Sequence, residues 1–310
     1  MRIASLLATG TEIVYALGMG DSVVAISHEC DYPPSAQSKP RISRPRFDLT
    51  GRGSGEIDQL VRETMERYGS VYEVNTVLLR DLAPDLLLTQ AVCEVCAVPV
   101  SLARDAASAL DDAPGVISLD AHTIDDIFRS VRAVGDAMGV AERADEVIAV
   151  MRARIDAVQA AVAQAPRPTV LVLEWLDPPF LPGHWTPEMI ELAGGHPLLT
   201  QTGGPSQSVQ WEELADLDPD VLLVVPCGYG LDAARRDADR HSAQLTEVAS
   251  RALQDQRGFV ADGSAYFNRS GPRVVDGIEI LAALLHPDRC GGAALEGRAE
   301  RWIPGRQQVT

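Results

Sequence analysis

Thr11-Glu12-Ile13-Val14-Tyr15-Ala16-Leu17-Gly18 has a counterpart in Pro187-Glu188-Met189-Ile190-Glu191-Leu192-Ala193-Gly194, and Asp81-Leu82-Ala83-Pro84-Asp85 has one in Asp216-Leu217-Asp218-Pro219-Asp220. The two pairs are separated by different lengths of chain, so the halves are similar units carrying different insertions. Around them, short apolar runs bounded by turn residues read as strands: 3–7, 23–27, 86–90 and 116–119 in the first half, and 169–173, 221–226 and 258–261 in the second. Helical signals alternate with these runs, the pattern of βαβ units and a parallel sheet. Thr9 and Glu12 have the Thr-x-x-Glu spacing of a capping box opening a helix that stops at Gly18. Residues 33–55, rich in Pro, Arg, Ser and Gly, read as a long surface loop.

Between the halves the period changes. Ile124, Ile127, Phe128, Val131, Val134 and Met138 recur three or four apart, pause at Gly139, and resume through Val147, Ile148, Met151, Ile155 and Val158. The second stretch predicts a spacer helix, which Pro166 and Pro168 exclude from continuing. The expectation is an α/β protein of two Rossmann-like lobes with parallel sheets, 1–122 and 167–310, joined by a long backbone helix within 123–166. Parallel α/β sheets bind beyond the carboxyl ends of their strands, so a ligand cleft is expected between the lobes.

The chain has 310 residues, ample for two cores. Its net charge of −17 argues against nucleic acid and anionic lipid as partners. No apolar run approaches the roughly 20 residues of a membrane span, so no membrane insertion is expected. The first strand begins at Ile3 with no secretory pattern ahead of it, which predicts a cytoplasmic location.

In order along the chain stand Thr11-Glu12, Asp31-Tyr32-Pro33-Pro34, Pro178-Pro179-Phe180 with Gly183, Trp211 before a Leu-x-Pro-Asp strand, and Tyr266-Phe267-Asn268-Arg269 followed by Pro272-Arg273. With these the chain resembles the helix-linked (class III) substrate-binding proteins of ABC importers, most closely the vitamin B12-binding branch, whose relatives also bind ferric siderophores and haem. The resemblance spans nearly the whole chain. It implies a two-lobed clamp holding a cobalamin-like corrinoid or other small-molecule metal chelate, with an ABC transporter permease as partner. It also implies ligand contacts at Tyr32, Phe180, Tyr266 and Phe267, and the binding reading counts Trp211 with them; Arg269 and Arg273, which flank a Ser-Gly-Pro turn before a helix, either clasp a carboxylate or phosphate of the ligand or pair with surface acids. One departure is Gln90-Ala91-Val92-Cys93-Glu94-Val95-Cys96, where the B12-binding members present an aromatic residue.

The cysteines offer an alternative. Cys30, Cys93, Cys96 and Cys227 each follow a predicted strand, and thiolates two residues apart can hold one ion from a single turn. Completed by Cys30 and Cys227, with His28 as a further ligand, they would make a cytoplasmic metalloprotein with a [4Fe-4S] cluster or zinc in the cleft, redox-active or enzymatic. The competing reading packs each thiol as a small hydrophobe. No recognisable catalytic set is present, so turnover has no sequence support.

Overall fold

The computed structural model describes residues 1–49, 51–92, 95 and 97–305. Two sheets, one parallel and one mixed, form around the predicted apolar runs, and the C-terminal one gains two edge strands, His196–Pro197 and Ala299–Arg301, that no apolar run marks. In the N-terminal lobe the order is Val23–Ala25, Ile3–Ser5, Leu86–Thr89, Gly115–Ser118. Ile3 lies opposite both Val23 and Leu86, and Leu86 opposite Gly115. In the C-terminal lobe the order is His196–Pro197, Thr169–Leu173, Val221–Val224, Gly258–Ala261, Ala299–Arg301, with only the last strand antiparallel. Thr169–Leu173 and Val221–Val224 are almost wholly buried, as expected of strands covered on both faces by helices.

The first helix of the connection, Ile124–Ala137, opens on a capping box. Thr123 Oγ1 accepts from Asp126 N, and the Asp126 carboxylate accepts from Thr123 N. It buries Ile127, Val131 and Val134 on one face. Gly139 turns the chain at φ +69°, in the left-handed region, and the helix Ala141–Val162 follows. At 1.5 Å per residue it spans about 33 Å. Its Val147 and Ile148 pack against the main cores of both lobes, so this helix joins them through side chains as well as through the backbone.

One helical expectation fails. The first helix, Ala8–Ala16, begins with Leu7 at its N-cap and no side-chain cap, and Thr9 lies inside its first turn. Glu12 is therefore free of capping duty, and its carboxylate goes elsewhere.

A small antiparallel sheet was not anticipated: Trp175–Leu176 pairs with Pro179–Leu181, which pairs with Gln207–Ser208. It is held tightly at one crossing. A Cβ on Gly183 would stand 2.3 Å from Pro205 C and Ser206 N, and 2.5 Å from Gly204 O, all backbone atoms that a side chain cannot push aside cheaply. Gly183→Ala is expected to cost about 1–3 kcal/mol of stability by urea unfolding. Wild-type stability in that variant would show that the two segments separate freely.

Candidate functional site

The carboxyl ends of the strands in both lobes face one another. His28 and Glu29 follow Val23–Ala25, Glu174 follows Thr169–Leu173, Cys227 follows Val221–Val224, and Phe267 and Arg269 lie past Gly258–Ala261. All of them line one cavity of about 510 Å³. Its apolar walls are Phe47 and Tyr72 from the N-terminal lobe and Trp175, Phe180, Trp185 and Phe267 from the C-terminal lobe.

The polar ends of several wall residues are committed elsewhere. Trp185 Nε1 donates to Phe267 O at 2.8 Å, Trp175 Nε1 to Asp177 O at 3.2 Å, and Tyr72 Oη to Val95 O at 2.7 Å. The Trp175 ring lies 5.3 Å from that of Tyr229, and His28 lies 5.0 Å from Tyr72. These bonds fix Trp185, Trp175 and Tyr72 in the cavity wall.

The lobes are clasped beside the cavity. Arg273 of the C-terminal lobe grips Glu12 of the N-terminal lobe with two parallel bonds, Nε to Oε2 at 3.0 Å and Nη2 to Oε1 at 2.5 Å. Arg269 adds Nη1 to Glu12 Oε1 at 3.2 Å, and Nη2 to Asp31 Oδ2 and Glu29 O, both at 3.1 Å. Glu12 keeps only 2% of its side-chain surface in solvent, and Arg269 and Arg273 keep 10% and 13%. Each ion is thus largely removed from water and compensated by the opposite lobe. A second seam is made where Ser54 N donates to Asp237 Oδ1 at 3.4 Å and Arg240 Nη1 to Arg52 O at 3.3 Å.

Burial sets the protonation of the cavity. It pushes the Glu29 carboxyl up to about 7, against the opposing pull of Arg269, and the Glu174 carboxyl up to about 7, against a hydrogen bond from Ser206. It raises the Cys227 thiol to about 12, with Glu174 and Glu29 adding to the effect, and lowers His28 to about 4, helped by Arg41. At neutral pH the imidazole and the thiol are uncharged.

Phe180, Phe267, Arg269, His28 and Cys227 are brought together on the cavity wall. Tyr32, Trp211 and Tyr266 are not. Tyr32 is 45% exposed and lies against the Arg273 guanidinium, 4.3 Å from its ring centroid. Trp211 stacks on His241 at the edge of the C-terminal core. Tyr266 is flanked by Arg273 and Arg298. Cys30 points into the N-terminal core, fully buried, with its sulfur 3.0 Å from Thr11 Oγ1 and 3.3 Å from Ser27 Oγ. Cys93 and Cys96 lie outside the described residues. Among the described residues no group of three or more His, Cys, Asp and Glu is placed to hold a metal ion. The expected four-sulfur site therefore lacks its Cys30 corner, and nothing described supports an iron–sulfur cluster or zinc. Sequence reasoning missed Tyr72 and Glu174. The latter had a signal, a lone acid ending the apolar run 169–173.

The periplasmic binding protein family model matches residues 3–253. The chain belongs to that family. Within it, the chain is a helix-linked substrate-binding protein of the ABC-importer type, related to the vitamin B12-binding proteins. A vitamin B12-binding protein of Vibrio cholerae is 22% identical over 287 residues, covering 92% of this chain and 88% of the relative. An uncharacterised ABC transporter substrate-binding lipoprotein of Bacillus subtilis, YvrC, is 24% identical over 298 residues, covering 93% and 80%. Among solved structures, a periplasmic haem binding protein from Pseudomonas aeruginosa superimposes with a TM-score of 0.70 at 23% identity, covering 93% of each chain. The periplasmic vitamin B12 binding protein of Vibrio cholerae gives 0.67 at 22% identity, covering 92% of this chain and 96% of that one. These likenesses confirm the two-lobed fold and overturn the cytoplasmic expectation, because the matched family and structures are periplasmic binding proteins. That expectation rested on where the sequence begins, which carries no information about compartment.

The buried acids set a pH dependence. Glu29 and Glu174 have folded-state values raised above the ordinary glutamate value, so their contribution to stability is complete below that value and is lost as pH rises through about 7. Glu29→Gln/Glu174→Gln is expected to melt with the wild type at pH 4 and roughly 2–4 °C above it at pH 8, by calorimetry without ligand. A constant difference across that range would contradict the assignment.

Proposed function

We propose that the protein holds a cobalamin-like corrinoid, or another flat metal chelate, between its lobes and delivers it to the permease of an ABC importer. The observation that carries this reading is the cavity of about 510 Å³ walled by aromatic rings from both lobes. Aromatic rings from both lobes suit a broad, flat molecule, because area burial against them is realised over a whole face at once. Relatives named for vitamin B12 binding support the corrinoid, and the haem-binding protein of similar fold supports the wider class of macrocyclic chelates. The likeness to an ABC transporter substrate-binding lipoprotein supports the importer partner.

Trp175 and Trp185 line the cavity, so their fluorescence reports occupancy by a coloured macrocycle. Titration with cyanocobalamin is expected to quench this emission saturably. Phe180→Ala should weaken the binding by about tenfold or more while leaving the fold intact by circular dichroism. Absence of saturable quenching by cyanocobalamin or by haem would refute the reading.

A further inference from the structure

Aromatic walls explain how a macrocycle is held and leave open which one is chosen. The polar groups of the cavity are distributed unequally. Among the described lining residues three carry carboxylates, Glu29, Asp58 and Glu174, whereas Arg269 is the single lysine or arginine. Its guanidinium is already spent: Nη1 binds Glu12 and Asp31, and Nη2 binds Asp31, Glu29 O and Ser264 Oγ. His28 has Nδ1 2.9 Å from Ser43 Oγ and is uncharged at neutral pH.

We infer that the cavity selects its ligand by hydrogen-bond donors: Glu29 of one lobe and Glu174 of the other accept from amide or amine N–H groups on the rim of a macrocycle, and turn away rims of carboxylates. This rests on the function proposed above and names the ligand class for that same site.

Position supports the pairing. Both side chains extend from the carboxyl ends of strands in opposite lobes, and both act electrostatically on Cys227, which puts the three at one region of the wall. A third of the Glu29 side-chain surface is open, and Glu174 is only half-buried, so each can be touched by a molecule filling the cavity. A ligand N–H meets an acceptor whether the acid is ionised or protonated, because a carboxyl group keeps an accepting oxygen in either form. A ligand carboxylate meets like charge there, and among the described lining residues the one guanidinium, Arg269, is already committed to Glu12 and Asp31.

The groups facing these acids set the direction with pH. Glu29 is faced by Arg269 and Asp31, by His28 with Nε2 at 3.9 Å, and by Tyr72 and Cys227; Glu174 is faced by Ser206 and Cys227. With His28 neutral and Arg269 paired, ionisation of the two acids between pH 6 and 8 makes this end of the cavity more negative. Affinity for a carboxylate-rimmed ligand falls over that range, and affinity for an amide-rimmed ligand does not follow it.

The test uses one ring with two rims: dicyanocobyrinic acid and its heptaamide, titrated calorimetrically into wild-type protein and into Glu29→Gln/Glu174→Gln at pH 7.5. The heptaamide is expected to bind wild type at least about tenfold tighter than the acid, with the variant closing most of the gap by gaining affinity for the acid. Equal binding of the two forms by wild type, or a gap untouched by the double substitution, overturns the inference and leaves the proposed function standing. Failure of both forms to bind folded protein overturns the proposed function and the inference together.

Discussion

A carboxylate taken out of water must have its charge answered nearby, and Glu12 has it answered by the other lobe. Its side chain is 2% exposed, and the groups that compensate it are the guanidiniums of Arg269 and Arg273, more than 250 residues away in sequence. Removing one partner from such a buried network commonly costs about 3–5 kcal/mol, because the remaining charge is stranded. The lobes therefore cannot drift apart without either rehydrating three ions together or leaving them unpaired. The helix Ala141–Val162 reinforces this constraint, since Val147 and Ile148 touch both lobe cores.

The clasp shapes the cavity it adjoins. Arg269 is both the bridge to Asp31 and Glu12 and a residue of the cavity wall, so the interaction between the lobes also commits the one arginine among the described lining residues. What remains on the wall is a set of anchored rings and acids held in a medium poor enough in water to raise Glu29 and Glu174 to about 7. The clasp thus leaves the described wall with aromatic rings and carboxyl groups, its one arginine committed to the opposite lobe.

The sheets were legible because each central strand is a short apolar run between turn residues, and the connecting helix because a 3.6-residue period persists across Ile124 to Val158. The small sheet was not. Trp175–Leu176, Pro179–Leu181 and Gln207–Ser208 are two or three residues long, too short to show alternation, and they exist because Gly183 lets two backbones meet. Strand-end reasoning brought Cys227 and His28 to the cavity and failed for Cys30, whose side chain turns into the core beside Thr11 and Ser27. Local spacing misread Glu12 as a helix cap, since a partner in the other lobe leaves no trace within a short window. Tyr32, Trp211 and Tyr266 were carried in by family resemblance alone, and here their rings stack on Arg273, His241 and the Arg273–Arg298 pair instead of lining the cavity.

If the Glu12 clasp governs the closed arrangement, loosening it must be felt at the far seam. Hydrogen–deuterium exchange of wild type and Glu12→Gln measures this directly. The account predicts slow exchange at both seams in wild type, and faster exchange in the variant at residues 264–273 and also around Ser54 and Asp237, which Glu12 does not touch. Acceleration confined to residues 8–16 would contradict it, and would mean that the lobes are held together without the clasp.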